Sequence, residues 1–230
     1  MNLKDNIERV QERIHAACQR SGRRPEDVKV LAVSKTIGAD LIRQAYECGL
    51  KEFGENRVQE AAAKRPALSG LDVTWHLIGH LQTNKARLAR ELFNWFHAVD
   101  SLRIAQKLDQ VAGLEGQKFP VLIEVNLGGE ESKFGVQEQI VPLVEQIAQL
   151  KSIDLRGLMV IPPFTENPED ARPHFRRLRE LAAQIEAQKI PGVLMQELSM
   201  GMSHDFEVAI EEGATIVRIG TAIFGPRDRK

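Results

Sequence analysis

Cysteine is nearly absent from this 230-residue chain: only Cys18 and Cys48 occur, without CxxC spacing. That excludes a disulfide framework and a thiolate metal site, and leaves two buried or incidental thiols suited to a reducing compartment. An excess of either charge is also missing. Lys and Arg number 31 against 32 Asp and Glu, a formal net charge of −1, so no basic surplus draws in nucleic acid or an acidic membrane. The opening MNLKDNIERVQERIHAACQRSGR has no apolar core suited to export, and no later run is long and apolar enough to span a bilayer. No Pro/Gly/Ser-rich linker or low-complexity tract divides the chain. A cytoplasmic chain forming one domain over residues 1–230 is the expectation, with 43% hydrophobic residues available for its core.

What is present alternates. A first helix over about residues 3–20 has Ile7, Val10, Ile14, Ala17 and Cys18 at helical spacing. Then strand-like and helix-like segments take turns: VKVLAVS, KEFGEN, TWHLIG, WFHAVD, FPVLIEVNL, DLRGLMVI, LMQELSM and TIVRIGT read as strands, each but the last followed by a helical pattern. The connections are too short for antiparallel pairing. Eight such units in this length favour a single α/β (β/α)₈ TIM barrel with an extra N-terminal helix over two open sheets or a doubly wound sheet. The arginines 172, 176, 177 and 179 sit in one helical pattern beside acidic residues and read as a solvated face.

In such a barrel the working face is the C-terminal end of the strands. The segment VLAVSKT carries an apolar strand straight into Lys35, and taken alone that lysine is a solvated head on an apolar stem. SMGMSHD joins strand seven to a helix, with Ser199, Gly201 and Ser203 in a tight turn and Ser203 placed as the N-cap. RIGTA puts Gly220 and Thr221 after strand eight. Loops after strands seven and eight are the recurring phosphate site of this fold, so the two together favour a phosphate over two ordinary turns. Alternation in TIVRIG turns Val217 and Ile219 outward and Arg218 into the barrel mouth, where it needs either Glu124 or Glu197 as an ion-pair partner or a ligand atom. His76 and His80 have i, i+4 spacing, but a strand running into a loop with Gly79 between them gives no shared helical face, so no metal is expected.

A lysine at the mouth, a phosphate cradle across from it and an arginine between suggest a ligand with an aldehyde, a phosphate and an aromatic nitrogen, namely pyridoxal 5'-phosphate. Lys35 supplies an amine for an imine. An arginine at the ring nitrogen discourages a proton there and weakens the ring as an electron sink. A Schiff-base aldolase acting on a phosphosugar without cofactor is a competing reading of the same lysine.

The segments AVSKT, FGENRVQE, WHLIGHLQTNK, VNLGGEESKFG, GLMVI, ELSMGMSHDFEVAI and VRIGTAIFG run in order over about residues 30–225 and together resemble the YggS/PROSC family of pyridoxal phosphate homeostasis proteins. The resemblance implies a barrel like the N-terminal domain of alanine racemase (fold type III). It implies Lys35 as the imine lysine and Arg218 as the ring-nitrogen partner. Ser199, Gly201, Ser203, Gly220 and Thr221 would surround the phosphate, with Asn56, His80 and Met200 lining the ring pocket. Racemases of this class add a β-domain with a catalytic tyrosine, whereas the one tyrosine here, Tyr46, lies in the helix after strand one and reads as a packing residue. The expectation is a monomeric carrier that buffers pyridoxal phosphate or delivers it to apo-enzymes, with no catalytic residues assigned. A pyridoxal phosphate-dependent amino-acid racemase or lyase is the alternative. Lys133 in the loop after strand five reads as a solvated lysine.

Overall fold

The computed structural model describes residues 2–112, 118–128, 134–137 and 139–226, so Lys133 lies outside the described residues. Eight strands close into one barrel in sequence order: β1 Lys29–Val33, β2 Glu52–Glu55, β3 Thr74–Leu77, β4 Trp95–Val99, β5 Phe119–Val125, β6 Ile153–Val160, β7 Glu197–Met202 and β8 Ile216–Ile219. Every pair is parallel, and β1 closes the ring on β8 with Lys29 opposite Ile216 and Leu31 opposite Arg218. This is the (β/α)₈ barrel that the alternating pattern predicts.

The helices are α1 Leu3–Ser21, α2 Ala39–Glu47, α3 Val58–Lys64, α4 Ala86–Leu92, α5 Leu102–Ala112, α6 Ile140–Ala148, α7 Arg172–Ala187, α8 Phe206–Glu211 and α9 Thr221–Phe224. The sequence pattern left the segment after β8 without an element; it forms α9, a single turn too short to cover its side of the barrel. The N-terminal helix supplies the cover. It buries Ile7, Val10, Ile14, Ala17 and Cys18 and is tied to the last elements through Arg13–Glu207 at 2.8 Å, Arg20–Glu211 at 2.7 Å and a hydrogen bond from Asn6 Nδ2 to Ile223 O at 2.9 Å. Among the described residues no helix is long and apolar enough to cross a membrane.

The period of two sorts each strand into two environments. Ala32, Phe53, Trp75, Phe96, Met200, Val217 and Ile219 face the helices in the main core, while Leu31, Val33, Ile78, Leu122, Met159 and Ile216 pack inside the barrel. Arg176, Arg177 and Arg179 are exposed, as the expected solvated face requires, but three of the four α7 arginines are also held by an acid from another helix. Arg172, Arg176 and Arg179 converge on the buried Glu212 at 3.2, 2.9 and 3.0 Å and lock α7 onto the end of α8. Sequence spacing shows a charged stripe on one helix, but the acid that gathers it comes from another.

Candidate functional site

The barrel mouth opens onto a cavity of about 290 Å³ lined by Lys35, Asn56, Ser203, Arg218, Gly220 and Thr221, with Met202, His204, Phe164 and Ile161 toward its rim. Phe164 and Ile161 are exposed, and Phe164 lies against His204 with ring centroids 5.5 Å apart. Lys35 is half-buried at the turn that follows β1. The residues on either side of it are clamped. Ser34 donates through its hydroxyl to Glu55 Oε1 at 2.7 Å, and Lys64 Nζ donates to Ser34 O, Glu55 Oε1 and Glu60 Oε1 at 2.8, 2.9 and 2.6 Å. The Thr36 N–H donates to Glu60, with Thr36 in the left-handed region at φ +66°. Such a backbone is unusual for a β-branched residue and holds only where its surroundings enforce it. Burial pushes the Glu55 carboxyl above its ordinary range against the pull of Ser34 and Lys64.

Arg218 stands beneath the cavity, buried, with Nη1 donating to Ser199 O at 2.6 Å and Ser199 Oγ at 2.7 Å, and Nη2 to Val160 O at 2.8 Å. No direct ion pair with Glu124 or Glu197 forms; Glu197 binds Lys29 at 2.5 Å instead. Burial lowers Arg218 to about 10, with Glu124 and Asp205 working in the other direction. Glu124, also buried, is raised to about 7, because desolvation outweighs the attraction of Arg218.

The expected phosphate loops meet, though not residue for residue as the sequence suggests. Ser203 does not cap the helix after β7; Asp205 occupies the N-cap position of α8 and accepts from Met202 N at 2.6 Å. Ser203 Oγ instead accepts from Gly220 N at 3.1 Å and Ala222 N at 3.2 Å, tying the two loops together. Its own hydroxyl hydrogen has no acceptor among the described residues. Gly201 has φ +89°, and a Cβ there would fall 2.6 Å from Ala209 Cβ and 2.9 Å from Phe206 Cα, so the close approach it allows is that of α8. Ser199 is buried inside the barrel under Arg218 rather than on the cavity wall. Met200 points outward into the helix-facing core, and Met202, two residues on, reaches the cavity.

His80 lines a neighbouring cavity of about 740 Å³, which shares Asn56, Ile78 and Ile161 with the first. Its ring hydrogen-bonds Asp100 Oδ2 at 2.8 Å and stacks on Phe134 with centroids 4.1 Å apart. His76, by contrast, is inside the barrel, so the two histidines share no face; among the described residues no three His, Cys, Asp or Glu side chains are arranged so that they could hold a metal ion. The contacts that join Ser34, Glu55, Lys64 and Glu60 into a clamp, and the cavity roles of His204 and Phe164, escaped the sequence reading. An EN dipeptide at the end of a short strand hints at Glu55, but Lys64 reaches back from the end of α3, and nothing in its spacing announces that.

A closed parallel barrel with a lysine after its first strand and an arginine on its last defines a class, the barrel of the alanine racemase N-terminal domain type. The profile of that family, "Alanine racemase, N-terminal domain", matches residues 2–228. The chain is 50% identical to the pyridoxal phosphate homeostasis protein of Aquifex aeolicus, over 99% of each chain. The solved structure of PipY from Synechococcus elongatus with pyridoxal phosphate bound superposes with a TM-score of 0.80 at 42% identity, covering 94% of this chain and 100% of that one. Alanine racemase of Clostridium difficile gives a TM-score of 0.75 at 17% identity, covering 100% of this chain and 58% of that one, a likeness of fold alone. The chain belongs to the pyridoxal phosphate homeostasis protein family.

Proposed function

We propose that this chain binds pyridoxal 5'-phosphate as an imine on Lys35 and serves cytoplasmic homeostasis of the cofactor, buffering it and passing it to apo-enzymes, rather than acting as an efficient catalyst. The observation that carries the reading is the meeting of Lys35, Arg218, Ser203, Gly220 and Thr221 around one cavity. The donor set fits the group: an amine for the aldehyde, a guanidinium for the ring nitrogen, and, for a phosphate oxygen, the Ser203 hydroxyl, whose hydrogen has no acceptor among the described residues. Asn56 lies on the cavity wall and belongs to this set. His80 acts from the adjoining cavity, through Phe134 and Asp100, while Ser199, Met200 and Gly201 support the site from behind. The names of the relatives point the same way, and PipY was solved with the cofactor.

A cation at the ring nitrogen disfavours its protonation, so the bound ring is a poor electron sink and carbanion chemistry is restrained. That argues against a racemase or lyase. We take the protein to act as a monomer.

Purified protein incubated with pyridoxal phosphate should develop an imine absorption band that is lost in Lys35→Ala. Borohydride should fix a pyridoxyl group on Lys35, found by peptide mapping. An adduct on another lysine would overturn the assignment, and absence of any band would favour the phosphosugar aldolase. Rapid catalytic exchange of an amino-acid α-proton by the loaded protein would restore the enzyme reading.

A further inference from the structure

Behind Arg218 the barrel interior holds a row of polar groups, Glu52, His76, His97 and Ser199, that do not line the cavity. Glu52 Oε2 lies 2.6 Å from His76 Nε2, His76 Nδ1 lies 2.9 Å from His97 Nε2, and His97 Nδ1 lies 2.9 Å from Ser199 Oγ, which accepts from Arg218 Nη1 at 2.7 Å. His76, His97, Ser199 and Arg218 are all at most 3% exposed, while the Glu52 side chain is one-third exposed at the start of β2. The row therefore runs from the N-terminal end of the barrel to the guanidinium under the mouth.

Its direction follows from elementary bookkeeping. A carboxylate only accepts, so His76 Nε2 carries a hydrogen. Both imidazoles are neutral: burial holds His76 below its ordinary range despite Glu52, and holds His97 well below, helped by His76, Arg218 and Lys29. The charged groups around them are Glu52, Lys29, Glu197 and Arg218. A neutral His76 with its hydrogen on Nε2 accepts at Nδ1, so His97 donates from Nε2 and accepts at Nδ1. The Ser199 hydroxyl then donates to His97 and presents its lone pairs to Arg218, which can only donate. The direction is set at the Glu52 end and carried along by the two neutral rings; the Arg218 end is compatible with it, because the Ser199 oxygen can accept from the guanidinium while giving its one hydrogen to His97.

We propose that Ser199, His97 and His76 are positioning residues for Arg218, forming a one-way hydrogen-bonded chain, terminated by Glu52, that fixes how the guanidinium faces the cavity. Both Nη1 hydrogens are committed to Ser199, so the group cannot swing without breaking the chain. The functional consequence rests on the pyridoxal phosphate reading; the chain itself does not.

Nitrogen NMR of the histidines in cofactor-free protein tests the chain directly. At neutral pH both His76 and His97 should be neutral and protonated at Nε2; a cationic ring or an Nδ1 hydrogen on either overturns the proposal. Glu52→Gln, an exposed-end change that offers a donor as well as an acceptor, should let part of the population reverse and give His97 an Nδ1–H signal. A merely structural packing role predicts no such change, and its absence counts against the chain.

His97→Gln keeps an acceptor toward Ser199 and a donor toward His76, whereas His97→Leu keeps only bulk. The Leu variant should weaken pyridoxal phosphate binding about tenfold, the scale of one charge-assisted hydrogen bond, and alter the absorption of the bound group, with Gln restoring both. Unchanged affinity and absorption in a folded Leu variant refute the positioning role. Should the Leu variant not fold, the same two readouts on Glu52→Gln decide, and no change in either refutes it. If wild-type protein binds no pyridoxal phosphate, the functional reading fails while the NMR arm still judges the chain.

Discussion

Lys35 owes its fixed place to side chains that never reach the cavity. Lys64 holds the carbonyl before it, and Glu60 the N–H after it, through contacts to Ser34 and Thr36. Lys64 also neutralises Glu55, which is fully buried and has one carboxylate oxygen without a partner among the described residues. Removing one member of a buried pair strands the other, so Lys64→Met should lower stability by about 3–5 kcal/mol in urea unfolding. Adding Glu55→Gln should recover much of that loss. Glu124 behaves differently because no cation touches it. Its carboxyl rises from the ordinary 4.5 to about 7 on burial, so the folded form favours the protonated acid. Stability from this group is complete below about pH 4.5 and lost as pH rises through about 7, on the order of 3 kcal/mol over the window. Glu55 and Asp205, raised by burial too, add slope of the same sign. Glu124→Gln should flatten part of the fall in urea midpoint between mildly acidic and mildly alkaline pH, and an unchanged slope would contradict the assignment.

At the scale of elements, the loops after β7 and β8 work as one unit because Ser203 bonds across them. Gly201 makes this possible by letting α8 sit against the strand end. Gly201→Ala meets both a left-handed backbone and two close contacts, and should cost about 3 kcal/mol and loosen the cavity, measurable as lowered thermal stability with weaker ligand binding. The alternation that turned Arg218 inward was legible in TIVRIG. The same rule applied to ELSMGM sends Ser199 in and Met200 out, but it would send Met202 out as well; the register shift between Ser199 and Met202 is what brings Met202 to the cavity, and counting does not show it. What could not be read was any contact made across elements. The destination of the Ser203 hydroxyl and the acid beneath the α7 arginines depend on which helices and loops the closed ring brings together. His97 was hidden for another reason. The β4–β5 register shifts between Phe96 and Val99, so simple counting along WFHAVD fails there.

Taken whole, the strand count, their parallel order and the working face were legible because eight apolar segments alternate with helical ones at short connections. The role of α1 was not: periodicity shows an amphipathic helix but not that it covers the flank which α9 leaves open. We propose that residues 1–230 unfold as one domain. Trp75 and Trp95 lie in β3 and β4, so their fluorescence and the helical circular dichroism should give one shared urea transition, and separated midpoints would divide the chain. The closure of β1 on β8 and the docking of α1 on α8 and α9 also govern how the chain folds. Asn6 meets Ile223 across 217 positions of sequence, and Lys29 meets Ile216. The segments synthesised first therefore wait longest for their partners. During that wait the apolar stripe of α1 and the open edge of β1 stay uncovered, which makes folding slow and places the period of greatest aggregation risk before the last strand emerges.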